Sequence, residues 1–312
     1  MFPSTADMMR LAPEIVLCAM GILIMVAEPF AEHRGRKVLD VLAVIGALGA
    51  LAAIWLPAHN TGAAFSNLLR VDEFSVFVHA IISVVALLVI LAAPSYLDRE
   101  NLPHGEFFAL ILFATAGMGV MASAQELITA FVGLEVSSIS SYILASYRRD
   151  VPRSNEAAMK YFLLGSFATA FFLYGVALIY GSTGTTVLPR IDSATAQVTL
   201  LALGLALVFV GLAFKVAAAP FQLWTPDVYE GSPSPVTALL SSAPKAAAFA
   251  LFLRILMTVE HASNLWFWAI WISAAITMFV GNLTAAVQSN VKRMLAYSSV
   301  AHAGYILVAF AA

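Results

Sequence analysis

Apolar residues run along this chain in long blocks separated by short polar connections. About 20 mostly apolar residues are needed to cross a ~30 Å hydrocarbon core, so blocks of this length read as membrane spans. They fall at Leu11–Phe30, Val38–Leu56, Val71–Ala93, Glu106–Ser123, Glu126–Tyr147, Ala157–Gly181 and Thr199–Ala219. Three more follow at Pro235–Thr258, Leu265–Val287 and Val291–Phe310. Barrel-type alternation is absent, which leaves a helical bundle as the spanning architecture. Glycine, serine and alanine recur inside the runs, as expected where helices approach closely in lipid. The pattern predicts an all-α, polytopic transmembrane bundle of about ten helices in one membrane domain over 1–312, with no soluble domain. The first run is read as a span and not as a signal peptide, because Asp7 and Glu14 spoil a positive n-region and no small-residue cleavage pattern follows.

Composition sharpens this picture. Hydrophobic residues make up 61% of the chain and charged residues 11%, where a soluble domain carries about a quarter; mean hydropathy is +0.90. A net charge of −2 gives no sign of nucleic-acid binding. Cys18, the lone cysteine, has no partner for an intramolecular disulfide and matches no metal-ligand spacing. Arg34, Arg36, Lys37, Arg99, Arg148, Arg149, Arg153, Lys292 and Arg293 fall after odd-numbered spans, against Arg10, Arg70, Arg190 and Arg254 on the opposite side. That asymmetry predicts an N-terminus outside and odd-numbered connections in the cytoplasm.

An ionisable side chain at the bilayer centre costs at least ~2.5–3.5 kcal/mol, so such residues tend to be functional. Glu135 lies about 14 Å past Glu126 and Lys245 about 15 Å past Pro235 at 1.5 Å per residue, near the midplane. Lys215 is followed by Pro220, Pro226, Pro233 and Pro235, which predicts a broken helix near Pro220. Broken helices at membrane depth commonly line ion sites. Burial disfavours a charged lysine and a nearby carboxylate restores it; a unit-charge pair 4 Å apart is worth ~4 kcal/mol at an effective dielectric of 20. Glu135, Lys215 and Lys245 are therefore candidates for a proton relay, with a static ion pair as the alternative. Lys160 is a relay candidate or a snorkelling side chain, and His302 a relay candidate or a hydrogen-bonded core histidine. Asp72 and Glu73 read as helix-capping and Glu126 as interfacial. His79 reads as packed, while His33, His59, His104 and His261 fall in connections and need no explanation. Trp266, Trp268 and Trp271 read as an interfacial belt.

The run GLAFKVAAAPFQLWTPDVYEGSPSPVTALLSSAPK from Gly211 to Lys245 resembles the broken seventh and the eighth helix of the N-subunit family of respiratory NADH:quinone oxidoreductase (complex I). NLTAAVQSNVKRMLAYSSVAHAGY from Asn282, GLE ending at Glu135 and NEAAMKYFLLGSFATAFFLYG from Asn155 are similar to the same family. The resemblance implies an antiporter-like fold, with N-terminal helices over 1–105, a first five-helix repeat over 106–258 and the start of an inverted second repeat over 259–312. It implies that Glu135 and Lys215 form the coupling pair and that Lys245 is the central relay lysine. Lysine at 245 and the phrase WTPDVYEGSPSPV favour this family over its relatives, which usually place histidine there. Against fourteen family helices the sequence stops at Ala312, and the exit-side lysine of the twelfth has no counterpart; a fragment, a truncated gene model and a split subunit stay open. The expected function is proton translocation driven by quinone reduction elsewhere, with a stand-alone cation/proton antiporter or a non-pumping scaffold as alternatives. No GxGxxG follows a strand and no cysteine set is present. NADH, FMN, iron–sulfur clusters and quinone are thus expected in partner subunits, the partners being other hydrophobic complex I membrane subunits and lipid. The expected location is the bacterial inner membrane.

Overall fold

Every apolar run becomes a helix in the computed structural model, which describes residues 3–30, 36–191, 197–258 and 263–311. In chain order the helices are α1 (Thr5–Arg10), α2 (Ala12–Ala27), α3 (Arg36–Ala53), α4 (Trp55–His59), α5 (Glu73–Ala92), α6 (Pro94–Arg99) and α7 (Gly105–Ser123). There follow α8 (Leu127–Ala145), α9 (Pro152–Thr183), α10 (Val198–Val216), α11 (Trp224–Gly231), α12 (Ser234–Thr258), α13 (Ser263–Ala286) and α14 (Val291–Ala311). Ten of them are long and apolar enough to cross a membrane; α1, α4, α6 and α11 are short additions. The chain is an integral membrane protein. His33, Arg34 and His261 lie outside the described residues, as does the side chain of Trp266.

A small antiparallel hairpin, outside the all-helical expectation, pairs β1 (Gly62–Ala64) with β2 (Leu69–Val71) in the register Gly62↔Val71. Arg10 ties it to the first helices by donating to the carbonyls of Asn60 (2.8 Å), Ala63 (2.7 Å) and Thr61 (3.1 Å). Backbone bonds from Gln125 to Leu68 and from Leu127 to Thr186, each 2.9 Å, gather three connections at this hairpin end. Helix starts there are capped, at Asp72 as the sequence suggests and at Glu126 beyond its interfacial reading. Asp72 N–H donates to Ser75 Oγ and Ser75 N–H to Asp72 Oδ1, each at 2.9 Å, in a capping box, a reciprocal pairing of otherwise orphan donors. Glu126 accepts from the N–H groups of Ile128 and Thr129.

His104 overturns the expectation that it needs no explanation. It is 1% exposed, its Nδ1 lies 2.6 Å from Asp40 and its Nε2 3.3 Å from Asp98. Its Nδ1 hydrogen bond ties α3 to the start of α7, because a buried imidazole is stable only with polar partners. Nε2 faces Asp98 of α6 without a hydrogen bond.

Arg254 sits at the hairpin end, against the charge asymmetry, for a local reason. It donates to both Asp72 carboxylate oxygens (3.0 and 2.6 Å) and to the Ala122 carbonyl (2.8 Å), joining α12 to α5 and α7. Burial pushes the Asp72 carboxyl up, but the hydrogen bonds and charge of Arg254, with the Ser75 donors, outweigh it and hold the group below its ordinary 3.8. Such a carboxylate adds stability above its unfolded pKa, lost as pH falls through the lower folded value. Arg254→Met is expected to destabilise the chain by about 2–3 kcal/mol, less than the ~3–5 kcal/mol of a fully buried pair because Asp72 is partly open to solvent. The loss should shrink on acidification below about pH 3.8, and thermal unfolding of wild type and variant across pH measures both.

Candidate functional site

The helix ending in Lys215 stops where the prolines predict. α10 closes at Val216, Ala217 takes a left-handed φ of 62°, and the backbone stays irregular until α11 begins at Trp224. The Ala219–Pro220 peptide is cis. Non-helical backbone at membrane depth must find partners inside the protein, and α13 supplies them. Ala219 N–H donates to Thr277 Oγ1 and Ser273 Oγ donates to the Ala219 carbonyl, each at 2.8 Å. Trp224 Nε1 closes the last turn of α10 by donating to the Phe214 carbonyl at 3.0 Å. Lys215 thus occupies the C-terminal end of a half-helix, where exposed carbonyl dipoles favour a cation.

Lys215 is 4% exposed and donates to Ser138 Oγ at 2.8 Å. Among the described residues it forms no direct ion pair. Glu135, one turn before Ser138 on α8, acts on it through space, and the buried Glu135 Oε1 has no hydrogen-bond partner among the described residues. Among the described residues the two groups are therefore not in the close contact that the charge argument assumed, and Lys215 rests on a serine hydroxyl instead. Ser138 in turn donates to the Leu134 carbonyl at 2.7 Å. It belongs to a cluster of buried serines, Ser137, Ser138, Ser140 and Ser141, whose density in an apolar run was a readable signal that a search for charges passes over.

Lys245 is 6% exposed on α12, just after the in-helix Pro244. Its Nζ donates to Ser299 Oγ (2.7 Å) and to the Ser299 carbonyl (3.2 Å) on α14, and lies 5.9 Å from the centroid of the Tyr229 ring. Among the described residues it too has no carboxylate partner. A row of rings, half-buried at Tyr142 and buried beyond it, connects the two lysine neighbourhoods. Tyr142, which reaches Ser138, packs edge-on against Tyr161 at 4.7 Å; Tyr161 stacks on Trp224 at 4.6 Å; Trp224 meets Tyr229 at 6.1 Å.

Among the described residues the other candidates neither hydrogen-bond nor ion-pair with either buried lysine, although His302 shares a groove with Ser299 and Tyr229. Lys160 bonds Asp227 and Glu156, each at 2.8 Å, with its side chain 44% exposed. It belongs to an ionic cluster in which Arg293 reaches Asp227 (2.7 Å) and Glu230 (3.0 Å), and Arg153 also pairs with Glu230. This cluster pins α11 to the starts of α9 and α14. Burial pushes the Asp227 carboxyl up, but Lys160 and Arg293 outweigh that and hold it below its usual value. His302 is exposed, bonds the Ser298 carbonyl at 2.8 Å and, beside Ser299, lines a groove of about 610 Å³; it is not a core histidine. His79 is buried as expected, yet it faces a second buried group, Glu14, that the charge survey passed over.

The model of the "NADH:quinone oxidoreductase/Mrp antiporter, TM" family matches residues 124–312. NADH-quinone oxidoreductase subunit N 2 of Koribacter versatilis is 51% identical over 99% of the chain and 65% of its own length. Subunit N of Trichlorobacter lovleyi is 47% identical over 98% of the chain and 64% of its own length. The chain thus spans a little under two thirds of these curated relatives. Among solved structures, a chain of respiratory complex I from Thermus thermophilus superposes with a TM-score of 0.82 at 37% identity, covering 95% of this chain and 64% of that one. A chain of the Mrp complex from Dietzia matches with a TM-score of 0.80 at 25% identity, covering 99% and 59%.

Proposed function

The chain belongs to the NADH:quinone oxidoreductase/Mrp antiporter transmembrane family, and from that premise we propose that it moves protons as a membrane-arm subunit of an NADH:quinone oxidoreductase. In this reading quinone reduction in partner subunits drives protonation changes at Glu135, Lys215 and Lys245. NADH, FMN, iron–sulfur clusters and quinone belong to those partners, which include other hydrophobic membrane subunits. The membrane is the bacterial inner membrane, with the N-terminus outside.

The observation that carries the reading is that both buried lysines rest on serine oxygens and, among the described residues, have no carboxylate in contact. A lysine that only fastened helices together would be expected to hold a carboxylate, since a buried charge is costly without a paired countercharge. Lysine, unlike arginine, can release its proton at such a site. Glu135, one turn from Ser138, is placed to change the field on Lys215 as it moves or titrates.

Lys215 supplies the test. Arginine keeps the charge beside Glu135 but does not deprotonate, whereas methionine keeps length without charge. A relay is impaired by both substitutions; a structural cation tolerates Lys215→Arg. The expected result is loss of proton pumping in both variants, measured in membranes with assembly checked on a native gel. Near-normal pumping by an assembled Lys215→Arg variant contradicts the relay.

A further inference from the structure

Glu14 and His79 lie in the N-terminal helices, outside residues 124–312 that the family model matches and outside the relay set. Glu14 is 4% exposed on α2, and among the described residues neither of its carboxylate oxygens has a hydrogen-bond partner. His79, 2% exposed on α5, places Nε2 3.2 Å from Glu14 Oε1. The same nitrogen lies 3.0 Å from the Gly119 carbonyl and 2.9 Å from Ser123 Oγ, both on α7. A carbonyl only accepts, so the tautomer with hydrogen on Nε2 serves the Gly119 contact, and in the imidazolium the second ring proton sits on Nδ1. His79 Nδ1 is buried without a partner as well. Gly119 admits the carboxylate: a side chain there would collide with Glu14 Oε1.

We propose that Glu14 and His79, with Ser123 and the Gly119 carbonyl, form a buried proton-binding site at the hairpin end of the bundle. The balance is simple. A protonated Glu14 beside neutral His79 and an ionised Glu14 beside an imidazolium hold the same number of protons and are both neutral overall. Removing that one proton leaves a lone buried carboxylate, and adding another leaves a lone imidazolium; each is disfavoured in a low-dielectric site. The pair therefore stores one proton that either partner can carry.

Other ionisable groups at this end are engaged or turned outward. Asp72 is tied to Arg254, Arg10 to hairpin carbonyls, Asp7 to Ser4 and Phe65 N–H, and Glu126 to its own helix start. His59 bonds the Trp55 carbonyl, while Arg70 and Glu73 are exposed. Cys18, one turn along α2, is half-buried and feels the Glu14 charge. From α8, Glu135 belongs to the Lys215 neighbourhood. The charged residues of α3 and α6, with Glu28 and Glu106, lie at the opposite end of the helices that carry Glu14 and His79.

The test is infrared difference spectroscopy of the full chain in lipid nanodiscs over a pH series, in H₂O and D₂O. A protonated-carboxyl C=O band that fades as pH rises is expected in wild type and lost in Glu14→Gln, a near-isosteric change. His79→Gln is expected to displace the band's midpoint by about one pH unit or more, since a neighbouring imidazolium is worth at least that. If Glu14→Gln does not fold, the wild-type and His79→Gln series still decide. The proposal is overturned if Glu14→Gln leaves the titrating spectrum unchanged, if the Glu14 band persists at every pH, or if His79→Gln leaves the midpoint in place.

Discussion

Replacing Lys245 by methionine is expected to lower proton pumping by roughly a hundredfold or more, the scale set by losing a positioned proton-transfer group. The side chain is almost wholly buried, and its polar contacts are the two Ser299 oxygens and the Tyr229 ring. Methionine preserves length and flexibility, so packing between α12 and α14 should change little. What is left behind is a serine that keeps its hydroxyl rotor and loses one donor, at a cost of about 1 kcal/mol. That sum cannot unfold a bundle with a continuous apolar core, so assembly should survive while transport fails. Proton pumping coupled to quinone reduction, in membranes containing the assembled complex, is the measurement. Retained pumping in an assembled Lys245→Met variant would remove Lys245 from the relay.

Gly117→Ala is expected to loosen the fold where α7 meets α8. A Cβ built at Gly117 would lie 2.7 Å from Ser137 N and 2.8 Å from the Gly133 carbonyl, and one at Gly133 would lie 2.7 Å from Met121 N. α7 and α8 therefore touch backbone to backbone, and a backbone cannot swing aside as a side chain can. Alanine gains about 1 kcal/mol in helix propensity over glycine, whereas overpacking a tight contact costs about 1–3 kcal/mol. The contact here is at the severe end, so the net effect should be a loss of about 1–2 kcal/mol. The change should also displace Ser137 and Ser138, and with them the bond to Lys215. Gly181→Ala is the control, because its nearest neighbour would be 3.7 Å away; it should be neutral or slightly stabilising. Thermal unfolding of both variants in detergent gives the comparison, and equal stability of the two would contradict this account of α7–α8 packing.

Much of this architecture is already present in one dimension. Lipid demands long apolar runs with internally paired backbone, so each of the ten spans appears where hydropathy puts it, and the proline cluster after Lys215 ends α10 at the expected place. The cost of burying charge likewise singles out Lys215 and Lys245. What hydropathy does not carry is which side of a helix meets protein. Lipid tails are as apolar as a protein core, so the amphipathic signal that orients helices in water is largely erased. α7 and α9 have similar mean hydropathies of 1.7 and 2.0, yet 83% of one and 33% of the other is buried. Partner identity therefore comes from tertiary packing between residues far apart in the chain. Ser138 under Lys215, Ser299 under Lys245, His104 between Asp40 and Asp98, and Glu14 against His79 all depend on how helices are rotated and spaced. Glycines such as Gly117 and Gly133 set that spacing, and only the packed structure shows which of many small residues do so. Hydropathy and proline placement suffice for the spans, the break and the buried cations; what each buried charge faces is set by close packing, because in a medium as apolar as the core nothing else tells one helix face from another.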